Sequence, residues 1–138
     1  ASTVMRMIDM GIEDYLISGT LNGVLAQRLV RRNCVHCLER EVVDPWVREA
    51  LSIQNHEIFY KGKGCRTCHN TGFSGRLAVY ELMVLTLELR NMIVSGTSVD
   101  QLEKQALASG MTPLTDHALS KAREGIISVA EVYRIRLS

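Results

Sequence analysis

Cys34-Val-His-Cys37 and Cys65-Arg-Thr-Cys68 contain all four cysteines of the sequence, and 27 residues separate the two pairs. A CxxC turn places two thiolates on one side of a tight loop. Two such loops facing each other supply the tetrahedral set of sulfur ligands that Zn²⁺ prefers. The spacing therefore predicts a zinc site with these four cysteines as ligands.

A site with four thiolate ligands has no open position for water or substrate, so the expected role of the metal is structural. Zinc with four thiolates carries a net charge of about −2, and we expect nearby cations to stabilise it. The residues between the pairs look too few and too polar for a large core, so metal binding should contribute much of their folding energy. The flanking cations are Arg31, Arg32, Lys61, Lys63 and Arg66.

Other uses of the cysteines are open but less favoured. Disulfides fit an exported protein, and the sequence shows no secretory feature. A redox CxxC normally opens a helix after a strand, and neither pair has that setting. Cys65-Arg-Thr-Cys68-His69 matches the CxxCH signature of c-type haem attachment, but this leaves Cys34 and Cys37 without a role. His36 and His69 are expected to be loop residues.

The composition is that of an ordinary globular protein. Of 138 residues, 46% are hydrophobic and 22% are charged, which argues against disorder. The net charge of +1 is too balanced for an electrostatic nucleic-acid binder or a polybasic membrane anchor. No apolar run is long enough to span a bilayer. Without a spanning run or a secretory signal, we expect a cytosolic chain. A fragment is one interpretation, because the sequence begins at Ala1 with a helical pattern already running by Val4.

The pattern predicts two helices, then strands on either side of the cysteines, then four helices. The first helix is capped by Ser2 or Thr3, the second begins near Glu13, and residues 24–30 form a strand or a helix. Residues 76–84 form a strand bounded by glycines. The last four helices have these predicted caps and ends: Thr86 with Gly96, Ser98-Val-Asp-Gln101 with Gly110, Thr112-Pro113 with Gly125, and Ser128-Val-Ala-Glu131.

Catalytic and nucleotide-binding motifs are missing from the sequence. It has no GxxxxGK[ST], GxGxxG or HExxH pattern. Thr115-Asp116-His117 could suggest acid–base chemistry, but adjacent residues of a helix point in different directions. We therefore predict no catalytic and no cofactor-binding residue in this chain.

Ordered segments of the sequence resemble the late portion of the secretion-superfamily ATPases that drive type II secretion and type IV pilus assembly. The resemblance rests on residues 6–13 (RMIDMGIE), 23–31 (GVLAQRLVR), 64–76 (GCRTCHNTGFSGR) and 80–82 (YEL), and on the first cysteine pair. It implies an α/β fold. Residues 1–31 would end a RecA-like motor core, 32–75 would form the inserted four-cysteine zinc lobe, 76–85 a returning strand, and 86–138 a helical C-terminal subdomain.

The resemblance also implies a function for the parent protein. That protein would be a hexameric cytoplasmic ATPase, peripheral to the inner membrane, that docks on an inner-membrane platform protein and drives secretion or pilus assembly. Its partners would be the platform and neighbouring subunits, without nucleic acid. ATP and Mg²⁺ would bind only in the parent, because the family's phosphate-binding loop, acidic motifs and histidine box precede this segment. The fragment would have a structural and coupling role.

A second interpretation is a stand-alone zinc-ribbon-like interaction module. It would use the basic residues around the cysteines, with nucleic acid as one partner. Near-neutral charge and few aromatic residues count against it. A c-type cytochrome, the third class, would show a haem absorption band.

Overall fold

The computed structural model describes residues 1–137, and within them the chain forms seven helices and four strands. The helices are α1 (Ser2–Asp9), α2 (Asp14–Thr20), α3 (Pro45–Ala50), α4 (Leu87–Val94), α5 (Val99–Ala108), α6 (Leu114–Arg123) and α7 (Val129–Leu137). The strands are β1 (Gly23–Asn33), β2 (Leu38–Arg40), β3 (Tyr60–Gly62) and β4 (Phe73–Val84). This mixture of helices and strands agrees with the α/β class in its coarse sense.

The chain divides into two compact units, each made of two separate stretches of sequence. The first unit contains residues 1–26 and 81–113, and the second contains residues 27–80 and the described residues from 114 onward. These units group the residues differently from the four consecutive segments expected from the sequence, and that division stays a prediction.

The strands form two small sheets. β1 pairs with β4, and β2 pairs with β3. The second pair is antiparallel, with Leu38 opposite Gly62 and Arg40 opposite Tyr60. The sequence pattern of residues 24–30 allowed either a strand or a helix, and in the structure these residues lie in strand β1. The predicted strand over residues 76–84 is confirmed as β4, which begins earlier at Phe73.

The first unit has a core built from its helices and the end of β4. Thr86 accepts a hydrogen bond from the N–H of Leu89, and Ser98 and Gln101 form a complete capping box, so both predicted caps are confirmed. These caps satisfy N–H groups that the first turns of α4 and α5 would leave unpaired. The buried residues are Val4, Ile17, Met83, Leu85, Leu89, Ile93, Leu102 and Ala106.

The second unit has a core shared by the residues between the cysteine pairs and the last two helices. Val47, Leu51, Ile53 and Phe59 are buried here. We expected this stretch to be too short and too polar for a large core of its own, and it supplies one side of a shared core instead. Its apolar residues are few, but they pack against α6 and α7. The partners from those helices and the turn between them are Ala118, Leu119, Ala122, Ile127, Val129, Val132 and Ile135.

Three predicted helix starts differ from the structure. α1 begins at Ser2 with Ala1 as its N-cap, and no side chain caps it. α6 begins at Leu114, after the predicted Thr112-Pro113 start. At α7 only half of the predicted capping box forms: Ser128 Oγ accepts the N–H of Glu131, while the Glu131 side chain is bonded elsewhere. Across residues 1–137, no helix has the length and apolar character that crossing a membrane requires.

Candidate metal centre

Each cysteine pair lies on a tight turn between two strands. Cys34 and Cys37 lie between β1 and β2, and Cys65 and Cys68 lie between β3 and β4. The two turns are tied together by backbone hydrogen bonds. Cys34 N–H donates to the carbonyl of Gly72 at 2.9 Å, and Lys63 N–H donates to the carbonyl of Cys37 at 2.8 Å. The pairing of β2 with β3 therefore brings the two turns face to face.

The four sulfur atoms form a compact cluster. All Sγ atoms lie within 4.8 Å of one another. The Sγ atoms of Cys34 and Cys65 are 3.8 Å apart, those of Cys37 and Cys68 are 3.9 Å apart, and those of Cys65 and Cys68 are 3.7 Å apart. A tetrahedron with Zn–S bonds of about 2.3 Å has edges of about 3.8 Å. The cluster has the dimensions of a zinc site, and no two cysteines form a disulfide.

Backbone N–H groups point at two of the sulfurs. Gly64 donates to Cys37 Sγ at 3.3 Å, and Cys65 and Gly72 both donate to Cys68 Sγ at 3.2 Å. Burial acts to raise the pKa of Cys68, but the backbone N–H groups of Cys65 and Gly72, together with the side chains of Cys65 and Cys37, lower that pKa to about 6. Burial raises the pKa of Cys37 to about 12. The N–H donors favour thiolates, which are the form that binds metal.

The second turn depends on unusual backbone conformations. His69 and Asn70 have φ of 54° and 63°, and Gly64 has φ of 107°. A β-carbon added to Gly62 would overlap the carbonyl oxygen of Gly72. Sequence reasoning missed Gly62 and Gly72, although two glycines that flank a cysteine pair are a signal of close backbone approach.

The structure gives Arg31, one of the five basic residues, a partner outside the cysteine cluster. Arg31 was expected to stabilise an anionic metal cluster, but its guanidinium binds Glu131 with Nε and Nη2 distances of 3.0 and 2.5 Å to Oε1. Lys61 lies 3.8 Å from Glu39, an exposed pairing of little energetic weight. For Arg32, Lys63 and Arg66 the expectation stays a prediction.

Glu131 is a buried carboxylate that sequence reasoning treated only as part of a helix cap. Its residue is 1% exposed. Besides the bonds from the Arg31 guanidinium, Glu131 accepts hydrogen bonds from the backbone N–H of Arg31 at 3.0 Å and from Arg134 Nη2 at 2.9 Å. Burial acts to raise its pKa, but the hydrogen bonds from the two arginines outweigh burial and lower the pKa to about 2. The residue joins β1 to α7 and has no part in the metal cluster.

The structure also places the three histidines singled out from the sequence. His36 and His69 are exposed turn residues, as expected. The ring of His117 packs on Tyr80 at a centroid distance of 4.5 Å, and its Nδ1 accepts the Tyr80 N–H at 3.0 Å. This contact gives His117 a packing role, in line with the interpretation of Thr115-Asp116-His117 as structural.

Comparison with known proteins decides the family. The profile of the type II/IV secretion system protein family matches residues 1–134. The chain belongs to this family. It is 41% identical over 136 residues to the type IV pilus assembly ATPase PilB of Thermus thermophilus, which covers 96% of the chain and 15% of that relative. It is 40% identical over 135 residues to the type II secretion system ATPase E of Vibrio cholerae, which covers 96% of the chain and 26% of that relative.

A further member of the type II/IV secretion family is similar over nearly the whole chain. The type IV pilus assembly ATPase TfpB of Acinetobacter baylyi is 37% identical over 139 residues, covering 97% of the chain and 24% of that protein. The chain thus spans about a quarter or less of the length of these relatives. It corresponds to one part of such proteins, and the resemblance noted from the sequence is confirmed.

Proposed function

We propose that the chain is the zinc-containing C-terminal part of an ATPase that powers type II protein secretion or type IV pilus assembly. The observation that carries this proposal is the cluster of four cysteine sulfurs that all lie within 4.8 Å of one another, in a chain that matches the secretion family over residues 1–134. Cys34, Cys37, Cys65 and Cys68 hold the metal. Their spacing and the N–H groups aimed at the sulfurs suit Zn²⁺.

The metal has a structural role when bound. Four thiolates fill its coordination shell, so no position remains for water or substrate. What the metal supplies is a crosslink between the turn after β1 and the turn before β4. The chain's own residues prepare that crosslink, because Gly64, Cys65 and Gly72 place N–H donors against the sulfurs.

The parent protein is a hexameric ATPase on the cytoplasmic side of the inner membrane, next to a membrane platform protein. In it, residues 1–31 complete a RecA-like core, residues 32–75 form the zinc lobe, residues 76–85 return to the core and residues 86–138 form a helical subdomain. ATP and Mg²⁺ bind to parts of the parent outside this chain. The family match and the names of the relatives support the ATPase activity of the parent and its role in secretion or pilus assembly.

The proposal is tested in the full-length parent. Cys34→Ser and Cys65→Ser should remove zinc and abolish secretion or piliation, whereas His36→Ser, at an exposed position of the same turn, should leave both unchanged. Loss of zinc with normal secretion and normal pili would overturn the coupling role. The parent gene should also encode a phosphate-binding loop upstream of the codon for Ala1, and a stop codon with a start site there would favour a free-standing zinc module.

The stand-alone module makes a different prediction for the 138-residue chain. It should bind nucleic acid with an affinity that falls steeply as salt increases. A part of a secretion ATPase should show no such binding. Fluorescence anisotropy with labelled DNA and RNA at two salt concentrations separates the two functions.

A further inference from the structure

The first cysteine turn is fixed on both sides to the segment that leads into α7. Asn33 immediately precedes Cys34, and Glu41 follows Cys37 after the short strand β2. Both residues form hydrogen bonds to residues 125–130, roughly 90 positions further along the chain. All of these residues belong to the second unit.

Asn33 holds the turn before α7 in place. Its N–H donates to the carbonyl of Ile126 at 2.8 Å, and its side-chain Nδ2 donates to the carbonyl of Gly125 at 3.1 Å. The same Nδ2 reaches the carbonyl of Tyr60 in β3 at 3.0 Å. Asn33 is 4% exposed, so these bonds are protected from water and their loss would leave buried polar groups unpaired.

Glu41, which follows the first cysteine pair, caps the N-terminus of α7. One carboxylate oxygen accepts the N–H of Val129 at 2.7 Å, and the other accepts the N–H of Ala130 at 3.2 Å. The first N–H groups of a helix have no partner within the helix, and a carboxylate there also interacts favourably with the helix dipole. Ser128, the residue before the helix, accepts the N–H of Glu131. The two N–H groups before it are capped instead by Glu41, which follows the first cysteine turn and β2.

We propose that metal binding at the four cysteines controls whether the first turn of α7 is ordered. Without the metal, the turn of Cys34 and Cys37 loses its crosslink, and Asn33 and Glu41 lose the position from which they hold residues 125–130. This inference rests on the proposed zinc site. Coupling between two sites is reciprocal, so loss of the Glu41 cap must also weaken metal binding by the same factor.

The experiment is hydrogen–deuterium exchange on the 138-residue chain, loaded with zinc and after removal of zinc by a chelator. The zinc content of each sample is measured by native mass spectrometry. Amides at the start of α7, including Val129 and Ala130, should exchange about tenfold faster without zinc, the effect of losing a capping interaction. The middle of α6 should change much less, because the shared apolar core holds it.

A matched pair of variants separates the coupling from general loss of structure. Glu41→Ala should speed exchange at the start of α7 with zinc still bound, and should weaken zinc affinity about fivefold to tenfold by reciprocity. Glu39→Ala, which removes only the exposed pairing with Lys61, should change neither.

Four results would overturn the proposal. If each chain binds one zinc ion and removal of that ion leaves the α7 amides protected, the metal site is real but the coupling is wrong. Equal loss of protection in α6 and α7 would show that the unit unfolds as a whole. If Glu41→Ala frees α7 without changing zinc affinity, the two sites are independent. A chain that binds no zinc would overturn the proposed metal site and the coupling together.

Discussion

Gly62 and Gly72 approach so closely that a β-carbon on either residue would overlap the carbonyl oxygen of the other. Gly62 ends β3 just before the second cysteine pair, and Gly72 follows that pair just before β4. At this close approach of the two glycines, the Gly72 carbonyl accepts a hydrogen bond from the Cys34 N–H, and the Gly72 N–H donates to Cys68 Sγ. The backbone contact between two glycines therefore sets the geometry of the sulfur cluster.

Gly62→Ala should damage the metal site although it changes no ligand. Backbone atoms would have to move to admit the methyl group, at a cost of about 1–3 kcal/mol or more, and the two cysteine turns would separate. Zinc titration and urea unfolding of the 138-residue chain measure both effects. Gly19→Ala is the matched control, because no atom lies within 4 Å of its added methyl group. Equal zinc affinity in Gly62→Ala and the unchanged chain would contradict this account.

Glu131 should contribute stability that depends on pH. Its folded-state pKa of about 2 lies below the ordinary value of 4.5, so its contribution is complete above about pH 4.5 and is lost as the pH falls toward 2. The full shift corresponds to about 3 kcal/mol. Urea unfolding of Glu131→Gln and the unchanged chain should show a large difference at pH 7 and a much smaller one at pH 3.

Glu131→Gln and the unchanged chain contain the same cysteines. The difference between their unfolding free energies therefore excludes any pH dependence that the cysteines cause. Glu39→Gln, at a partly exposed position, serves as the control and should differ little from the unchanged chain at either pH. A constant difference between Glu131→Gln and the unchanged chain from pH 7 to pH 3 would contradict the role of the Arg31 and Arg134 bonds.

The core of the second unit should depend on Phe59. This side chain is 1% exposed, so Phe59→Ala should cost about 3–5 kcal/mol through lost burial and the cavity it leaves. Trp46→Ala, at a residue that is 56% exposed, should cost much less. Urea unfolding measures both. Similar losses for the two variants would mean that the residues between the cysteine pairs do not share a core with α6 and α7.

The capping box of α5 should contribute measurably to the first unit. Ser98→Ala removes the hydroxyl that accepts the Gln101 N–H, at a cost of about 1 kcal/mol. Ser109→Ala, at the other end of the same helix, removes no N-terminal cap and should cost less. Thermal unfolding of both variants tests the prediction, and a larger loss for Ser109→Ala would contradict it.

Sequence reasoning worked where the cause of a structure is local. Thr86 and Ser98 cap the helices that directly follow them, and the CxxC spacing brings each pair of cysteines together within a few residues. It failed where the cause is a residue far along the chain. Glu131 has the spacing of a capping box but binds Arg31, which is 100 positions away. Local patterns carry no information about such a partner.

The same reason explains why the sequence did not predict the shared core of the residues between the cysteine pairs. Taken alone, Val47 and Phe59 are too few to form a core, and the sequence does not show that α6 and α7 supply the other side of it. The close approach of Gly62 and Gly72 had a local signal, because glycines flank the second cysteine pair on both sides. Their mutual contact follows only from the pairing of β2 with β3.

Zinc K-edge X-ray absorption spectroscopy of the purified 138-residue chain tests the central claim most directly. The account predicts one zinc per chain with four sulfur neighbours at about 2.3 Å, and a lower sulfur count in Cys34→Ser. A chain without bound zinc, or zinc with mostly nitrogen and oxygen neighbours, would contradict it.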